Sequence, residues 1–375
     1  MRTEEKIPIL AVVGPTASGK TALGVELAKY YHGEVVSADS MQIYQGMDIA
    51  TAKPTPEEMQ GIPHHLISVL PRDTLFSVAD YVKLAEEKIT QIVQREKLPI
   101  LVGGTGLYIA SLLDHVQFAE TKQDAALRKE LTDYAETNGA AALHSRLAAL
   151  DPEAAASIHP NNIVRVVRAL EVTMLSGKPF SVQKAESHLI PSPYCSCIIG
   201  LDYADRAVLY ERINRRVDQM VQNGLVEESY AVWKTHPQQT AANAIGYKEL
   251  IPYFNGDCDL ETCIDKLKQE TRRYAKRQLT WFRKRNDVMW IKLYEINNNK
   301  EILEKCKKII AKRQFLCYNR IGLFEKQKNE NQKDPVRRKG AALNEQNDEF
   351  TRCFFESGKK RKDSGDNHSD EWFPV

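Results

Sequence analysis

The sequence Ile7-Pro-Ile-Leu-Ala-Val-Val-Gly-Pro-Thr-Ala-Ser-Gly-Lys-Thr21 decides the fold class of this chain. Its first seven residues form a short apolar run that is typical of a buried β-strand, and residues 22–31 have helical composition. The turn between them has the phosphate-loop spacing G-x4-G-K-T. A strand, a glycine-rich turn and a helix in this order predict a site where backbone N–H groups and a helix N-terminus bind an anion.

The phosphate loop also supplies two side chains suited to phosphate chemistry. Lys20 contributes a compact positive charge, and the hydroxyl of Thr21 is a ligand for Mg²⁺. We expect the phosphate groups of a ligand to be bound by Gly14, Pro15, Thr16, Ala17, Ser18, Gly19, Lys20 and Thr21. The spacing alone leaves open which phosphate compound is bound.

Further apolar segments alternate with helical segments along the chain. Strands are predicted at Glu34–Asp39, His65–Leu70, Pro99–Thr105 and Cys197–Leu201. An amphipathic helix is predicted from Ser77, its N-cap, to Arg95. Strands that alternate with helices predict an α/β fold, here a P-loop NTPase-like parallel sheet with helices on both faces.

The composition divides the chain into four parts. Residues 1–113 contain the first part of the α/β core, and residues 114–194, rich in Ala, Leu, Glu and Arg, predict a helical insertion domain. Residues 195–313 complete the core and add a helical C-terminal part with basic helices. Residues 314–375 contain few apolar side chains, which predicts a poorly ordered tail.

Two predicted strands end in polar residues that we expect near the phosphate loop. The second ends in Asp39, and the fourth ends in Gly-Gly-Thr105. The carboxyl ends of parallel strands share one edge of the sheet, so both residues should line one crevice with the phosphate loop. The fourth strand lacks the Asp that helps to hold the metal in P-loop hydrolases, which makes Asp39 a candidate general base. A cap of the following turn is the alternative role for Asp39.

The charges balance over the whole chain but not locally. Lys and Arg number 52 against 50 Asp and Glu, a net charge of +2 that identifies no partner. Segments 206–216 and 266–285 are strongly basic. Each is either a solvated helix face or a footprint for a nucleic-acid backbone. Arg165 and Arg168 share a helical face and leave the same choice, because an acid such as Glu171 could pair with them.

The composition argues against membrane and secreted classes. The longest apolar stretch is Ile7–Val13, far below the about 20 residues of a membrane-spanning helix, and no signal-peptide cleavage pattern follows it. The 7 cysteines lack the spacing of zinc sites or disulfide scaffolds, which indicates reduced thiols. We expect a cytoplasmic monomer with no membrane partner.

A series of motifs resembles the bacterial tRNA dimethylallyltransferases, also called tRNA isopentenyltransferases. Besides the phosphate loop, the similar segments are Ser37–Tyr44, Gly46–Pro54, Pro63–His65, Leu101–Tyr108, Asn162–Glu171, Gly246-Tyr247 and Ala275–Arg283. The resemblance covers about residues 7–313 and does not include the tail.

The resemblance implies transfer of a dimethylallyl group from dimethylallyl diphosphate to N6 of an adenine beside the tRNA anticodon. The phosphate loop would then hold the diphosphate leaving group with Mg²⁺ and consume no ATP, although such a loop is often labelled ATP-binding. Three residues match catalytic positions of the family: Asp39 as general base, Thr105 at the reacting centre and Arg216 near the diphosphate.

The same resemblance implies that a flipped-out tRNA base enters the protein. Matching tRNA-contact positions are Asp39, Ser40, Met41, Gln42, Thr105, Arg128, Val164, Arg165, Val166, Val167, Arg168 and Lys248. Two other functions remain open. A small-molecule kinase that uses ATP would share the fold, the loop and Mg²⁺, but the Gly-Gly-Thr105 strand end and the size of the insertion weigh against it. A non-catalytic RNA-binding protein would leave the phosphate loop and Asp39 without a purpose.

Overall fold

The computed structural model describes residues 6–118, 124–235, 239–294 and 299–312. The tail predicted at 314–375 lies outside these residues. The described chain forms two compact units, one made of residues 6–118 and 183–312 and the other of residues 124–182.

The first unit is built on a six-stranded sheet in which all strand pairs are parallel. The strands are β1 (Ile7–Val13), β2 (Gly33–Ser37), β3 (His64–His65), β4 (Leu98–Gly103), β5 (Tyr194–Tyr203) and β6 (Val288–Leu293). Their order across the sheet is β3-β2-β4-β1-β5-β6. The predicted α/β class with a parallel sheet is therefore confirmed.

The helices of the described residues follow in chain order. They are α1 (Lys20–Tyr31), α2 (Pro56–Met59), α3 (Val78–Gln94), α4 (Gly106–Leu113), α5 (Ala125–Asn138), α6 (Ala140–Leu150), α7 (Pro152–Ser157), α8 (Ile163–Ser176), α9 (Phe180–Glu186), α10 (Arg206–Gln222), α11 (Leu225–Lys234), α12 (Gln239–Ala242), α13 (Ile251–Asn255), α14 (Leu260–Arg283) and α15 (Asn299–Lys312). A short 3₁₀ turn, Lys248–Leu250, precedes α13. None of these helices is long and apolar enough to cross a bilayer.

Helices pack against apolar strand residues on both faces of the sheet. Ile9, Ala11 and Val13 of β1 share a core with residues of α3 and α4. On the opposite face Val102 of β4 packs so closely against Gly24 of α1 that a β-carbon there would lie 2.5 Å away. Successive strand residues point to opposite faces, so continuous apolar strands require this covering on both sides.

Two local predictions had different outcomes. Ser77 begins α3 with a capping box, because its hydroxyl accepts from the amide of Asp80 and the Asp80 carboxylate accepts from the amide of Ser77. The strand predicted at His65–Leu70 is much shorter, because only His64–His65 pairs with β2. The next residues turn away from extended geometry, with a φ of 62° at Leu66.

The second unit is a small helical bundle of α5, α6, α7 and α8. Its core contains Leu131, Leu143, Leu147, Val166 and Leu170. It is narrower than the predicted insertion 114–194, because the flanking segments bond to each other within the first unit. There the amide of Gln117 donates to the Ser187 carbonyl over 2.9 Å, and the Ser192 hydroxyl donates to the Leu113 carbonyl over 2.7 Å.

Candidate active site

The loop that connects β1 to α1 has the backbone geometry expected of an anion-binding turn. Gly14 and Gly19 adopt φ angles of 143° and 84°, in the region that favours glycine. At Gly14 a β-carbon would also lie 2.6 Å from the carbonyl oxygen of Leu201, so no side chain fits there. Lys20 and Thr21 follow as the first residues of α1, where backbone N–H groups lack helical acceptors.

The ammonium group of Lys20 lies inside the loop. Its Nζ donates to the carbonyl of Pro15 over 2.6 Å. Burial and the nearby charge of Arg216 lower the pKa of Lys20 to about 7, although the charge of Asp39 opposes the shift. The cationic groups of Lys20 and Arg216 therefore lie close together, and a bound anionic ligand would stabilise both charges.

Asp39 follows the end of β2 and faces the same region. Its Oδ1 accepts from the amides of Met41, over 2.9 Å, and Gln42, over 3.4 Å, so the predicted turn cap is present. Among the described residues no hydrogen bond reaches its other oxygen, Oδ2. Burial raises the pKa of Asp39, although the two amides and the charge of Lys20 counteract part of this effect. One carboxylate oxygen holds the turn and the other remains available for chemistry.

Thr105 lies between the phosphate loop and Asp39 because β4 lies between β1 and β2 in the sheet. Its amide donates to the carbonyl of Ala38 over 3.1 Å. Its Oγ1 accepts from the amide of Ser40 over 3.0 Å. These bonds join the end of β4 to the two residues on either side of Asp39.

A cavity of about 310 Å³ opens at this carboxyl edge of the sheet. Its lining includes the polar or charged residues Lys20, Thr21, Asp39 and Arg216 and the apolar residues Ile213, Val217, Met220, Leu225 and Leu267. A cavity with both kinds of lining can hold a ligand that carries an anionic group and an apolar group.

Helix α10 brings two arginines to the phosphate loop. Arg216 lines the cavity, and burial lowers the pKa of its guanidinium group, whereas the charges of Glu58 and Asp39 raise it. Arg212, one turn earlier, donates from Nε to the carbonyl of Ala17 over 3.2 Å. The basic segment 206–216 therefore contributes to the anion site of the first unit.

The sequence analysis missed the role of Gln278. This side chain is only 5% exposed, accepts from the amide of Thr16 over 2.8 Å and donates to the carbonyl of Gly104 over 3.1 Å. It ties α14 to the phosphate loop and to the end of β4. The signal for it was a polar residue on the apolar face of an amphipathic helix, one turn after Tyr274, which also lines the cavity.

Residues 42–285, more than half of the chain, match the family model described as IPP transferase. The chain belongs to the IPP transferase family. Among curated relatives, the tRNA dimethylallyltransferase of Thermoanaerobacter sp. strain X514 is 47% identical over 308 residues, which cover 81% of this chain and 98% of the relative. The Bacillus subtilis tRNA dimethylallyltransferase is 50% identical over 288 residues, 76% of this chain and 90% of the relative. This chain is therefore a prenyltransferase of the tRNA dimethylallyltransferase class.

Solved structures of the same family share the fold. The full-length tRNA isopentenylpyrophosphate transferase from Bacillus halodurans is 45% identical, with a TM-score of 0.62, over 86% of this chain and 99% of that chain. A eukaryotic dimethylallyltransferase, described as acting on tRNA, is 27% identical, with a TM-score of 0.69, over 82% of this chain and 80% of that chain.

In this IPP transferase the second unit places two of the predicted tRNA-contact arginines in an internal ion-pair cluster. Arg128 Nε and Arg168 Nη1 bond to the two carboxylate oxygens of Glu171 over 2.9 and 2.6 Å. Glu171 is fully buried. Burial alone would raise its pKa, but bonds from Arg168, the Asp124 amide and Arg128 lower it below its ordinary value. Both arginines are partly exposed, so their role in the bundle does not exclude a role outside it.

The other predicted residues of α8 differ in exposure. Val164 is 55% exposed and Arg165 is half-buried. The side chains of Val166 and Val167 lie in the core of the bundle. The structure therefore does not support contacts of these two side chains with tRNA, because reaching them would require opening the core.

The basic segment 266–285 is largely neutralised by local partners. Its ion pairs include Lys266 and Arg273 with Glu270, Lys268 with Asp218, Arg283 with Asp202, and Arg285 with Asp114 and Asp287. Arg277 of the same segment lines the cavity. Lys248, the other predicted tRNA contact of the first unit, also lines the cavity, with its Nζ 3.9 Å from the carboxylate of Glu249. Most of this segment fits the interpretation of a basic helix face with structural pairs.

Proposed function

We propose that this chain transfers a dimethylallyl group from dimethylallyl diphosphate to N6 of an adenine beside the tRNA anticodon. Its relatives are named tRNA dimethylallyltransferase, and a structural relative is described as acting on tRNA. The observation that carries the proposal is the convergence of a phosphate loop and a buried carboxylate on one cavity that also has apolar lining residues. A diphosphate, a short prenyl group and the proton that N6 releases during attack each find a matching group there.

The diphosphate is the leaving group of the proposed reaction. As the C1–O bond of the prenyl donor breaks, its electron pair moves to a diphosphate oxygen, where negative charge increases. Lys20, Arg216 and the loop amides are positioned to stabilise that charge. The new bond joins C1 to N6 of the adenine, and the apolar residues of the cavity lining shield the electrophilic prenyl group from water.

Asp39 accepts the proton that N6 loses as the new bond forms. The exocyclic amine of adenine is a weak nucleophile, so removal of its proton must accompany attack. The unbonded Oδ2 of Asp39 is the acceptor, and the raised pKa of this carboxyl group makes it a better base than an ordinary aspartate. Thr105 orients the turn that carries Asp39 through its bond to the Ser40 amide.

The residues present fit a Mg²⁺ ion that is bound together with the diphosphate. In the described part of the chain no group of three or more His, Cys, Asp or Glu side chains could hold a metal ion. The Thr21 hydroxyl lines the cavity beside the phosphate loop. Mg²⁺ keeps several waters and commonly binds through substrate phosphates and few protein ligands, which this donor set matches. When bound, Mg²⁺ would offset the negative charge of the leaving group.

The tRNA substrate supplies an adenine that must leave its base stack before it can react. Ser40, Met41, Gln42 and Lys248 line the cavity and are proposed to contact the flipped nucleotide. Arg165, Arg168, Arg128 and Val164 of the second unit are proposed to contact the tRNA backbone. A cytoplasmic location and a monomeric state stay predictions.

A labelling experiment tests the proposed reaction against the kinase alternative. The protein is incubated with Mg²⁺, tRNA and either dimethylallyl diphosphate labelled in the prenyl group or ATP labelled in the γ-phosphate. We expect label to enter tRNA only from the prenyl donor. No label in tRNA from the prenyl donor, together with transfer from ATP to a small-molecule acceptor added to the mixture, would favour the kinase instead.

The variant Asp39→Asn tests the general base. Positioned proton transfer contributes about 10²–10⁴-fold, so single-turnover transfer should slow by about that factor while diphosphate binding changes little. A metal-ligand role predicts weakened Mg²⁺-dependent diphosphate binding and recovery of the rate at high Mg²⁺. A Mg²⁺ titration of both quantities separates the two roles, and recovery would refute the base assignment. A near-normal rate without recovery would exclude both roles.

A further inference from the structure

Residues 38–55, between β2 and α2, form an irregular segment that builds one wall of the cavity. It contains neither a helix nor a strand, yet it carries Asp39 and lines the cavity again with Ala50, Thr51 and Ala52. An active-site wall without regular backbone hydrogen bonds is held in place only where other groups accept from its N–H groups. The question is therefore what holds residues 48–52 in place.

Glu228 of α11 supplies these acceptors. Its carboxylate oxygens accept from three consecutive backbone amides: Asp48 over 2.8 Å, Ile49 over 2.9 Å and Ala50 over 3.0 Å. The hydroxyl of Tyr247 donates to the same carboxylate over 2.8 Å. One charged side chain thus satisfies four donors, and hydrogen bonds to a charged group are stronger than those between neutral groups.

The same carboxylate joins two neighbouring stretches of chain, which line the cavity with Ala50 and Gly246. One stretch donates the backbone amides of residues 48–50, and the other donates the hydroxyl of Tyr247, which follows Gly246. A β-carbon at Gly246 would lie 2.6 Å from the β-carbon of Ala50, so the two stretches are as close as a glycine allows. Glu228 therefore fixes the separation of Ala50 from Gly246.

A second link connects this wall to the turn of Asp39. Gln42 donates from Nε2 to the carbonyls of Thr51 and Ala52 over 3.2 and 3.3 Å, and its amide N–H is one of the two that bond to Asp39. A shift of residues 50–52 would move Gln42. The backbone N–H of Gln42 would then move relative to the Asp39 carboxylate to which it donates. The chain of contacts runs from Glu228 through the wall to Asp39.

We propose that Glu228 is a positioning residue that holds the 48–52 wall and, through Gln42, keeps Asp39 in its reactive orientation. The catalytic part of this inference rests on the proposed function, whereas the mechanical part does not. Glu228 acts at a distance from the phosphate loop. Its loss should therefore slow the transfer step and leave diphosphate affinity nearly unchanged.

The test compares Glu228→Gln with Glu227→Gln. Both residues lie in the first turn of α11, so both variants remove the same favourable charge from the helix N-terminus, but Glu227 is exposed. In Glu228→Gln an amide NH₂ replaces one acceptor oxygen. Tyr247→Phe, a gentler second variant, removes only the fourth donor and keeps the three backbone bonds.

Two measurements are made on each variant. Hydrogen exchange of the protein without substrates should be at least about tenfold faster at the amides of 48–50 in Glu228→Gln, with exchange in β1 unchanged. Single-turnover transfer should slow by about 10- to 100-fold at saturating substrates, the scale expected when a reacting group is slightly misplaced. Glu227→Gln should match the wild type in both, and Tyr247→Phe should fall between.

The outcomes distinguish the structural role of Glu228 from its effect on the transfer step. Unchanged exchange at 48–50 in Glu228→Gln would refute the mechanical role. Faster exchange with a normal transfer rate, or a loss confined to diphosphate affinity, would refute the positioning role. If Glu228→Gln does not fold, Tyr247→Phe must still show faster local exchange and slower transfer, or the proposal is wrong. A wild-type protein that transfers no prenyl group would refute the proposed function, while the exchange results would still test Glu228.

Discussion

Diphosphate binding should take up a proton at Lys20. In the free protein burial and the charge of Arg216 lower the pKa of this ammonium group to about 7. A bound diphosphate places negative charge beside the group and should return its pKa towards about 10.4. A group that is partly neutral in the free protein and charged in the complex takes up a proton on binding.

The size of the effect follows from the lowered pKa of about 7. The free protein would hold Lys20 about 90% protonated at pH 6, about half protonated at pH 7 and about 10% protonated at pH 8. Uptake should rise from about 0.1 proton per diphosphate at pH 6 to about 0.9 at pH 8. Over the same range this group alone should weaken the apparent affinity about tenfold, because protonation above the pKa costs about 1.4 kcal/mol per pH unit.

Calorimetric titration with inorganic diphosphate and Mg²⁺ measures this uptake. At each pH the binding enthalpy is compared in buffers of different ionisation enthalpy, and the difference gives the number of protons. The control is Lys20→Arg, which stays charged and shares any contribution from Asp39 or from diphosphate itself. An equal proton uptake by the wild type and Lys20→Arg at pH 8 would show that Lys20 is already charged in the free protein.

Three further outcomes are expected. Arg168→Glu should lower the free energy of unfolding of the bundle by about 2 kcal/mol in urea titrations, because it faces a buried carboxylate, whereas reversal of the exposed Lys129 should change it by less than about 0.5 kcal/mol. Gly104→Ala would place a β-carbon 1.9 Å from Gln278 Nε2, so we expect weaker diphosphate binding in calorimetry. In a chain that already carries Gln278→Ala this clash is absent, so Gly104→Ala should weaken binding less there than in the wild type. The raised pKa of Asp39 predicts that transfer slows with acidification at a higher pH than for an ordinary aspartate; a stopped-flow pH profile should lose this limb in Asp39→Asn.

Local sequence patterns predicted most of the core. The apolar run Ile7–Val13 and the glycines after it predicted β1 and the phosphate loop, because a strand, a turn and a helix in sequence order need no distant information. The positions of Asp39 and Thr105 at one edge followed from a rule about parallel strands. The length of the strand that begins at His64 was overestimated. The chain leaves extended geometry at Leu66, which has a left-handed backbone, and a leucine does not indicate such a conformation in the sequence.

The contacts that complete the site were not predictable, because they join residues far apart in the chain. Gln278 bonds to Thr16 across 262 residues, and Glu228 bonds to Ile49 across 179 residues. Spacing within a helix shows which residues lie on the same face of that helix, but it does not show which distant backbone amide a side chain will bond to. The same limit left the partner of Arg168 undecided. Glu171 is only three residues away, but the alternative partner is a nucleic acid, which the sequence does not contain.

The bond from Gln278 to Thr16 sets an order of events during synthesis on the ribosome. The phosphate loop leaves the ribosome well before α14, because Gln278 follows Thr16 by 262 residues. Until then the Thr16 amide lacks its protein acceptor and the end of β4 lacks its donor from Gln278. A growing chain, or a fragment that ends before α14, therefore has a phosphate loop without the residue that fastens it. Prenyl transfer should begin only after the last part of the core has emerged.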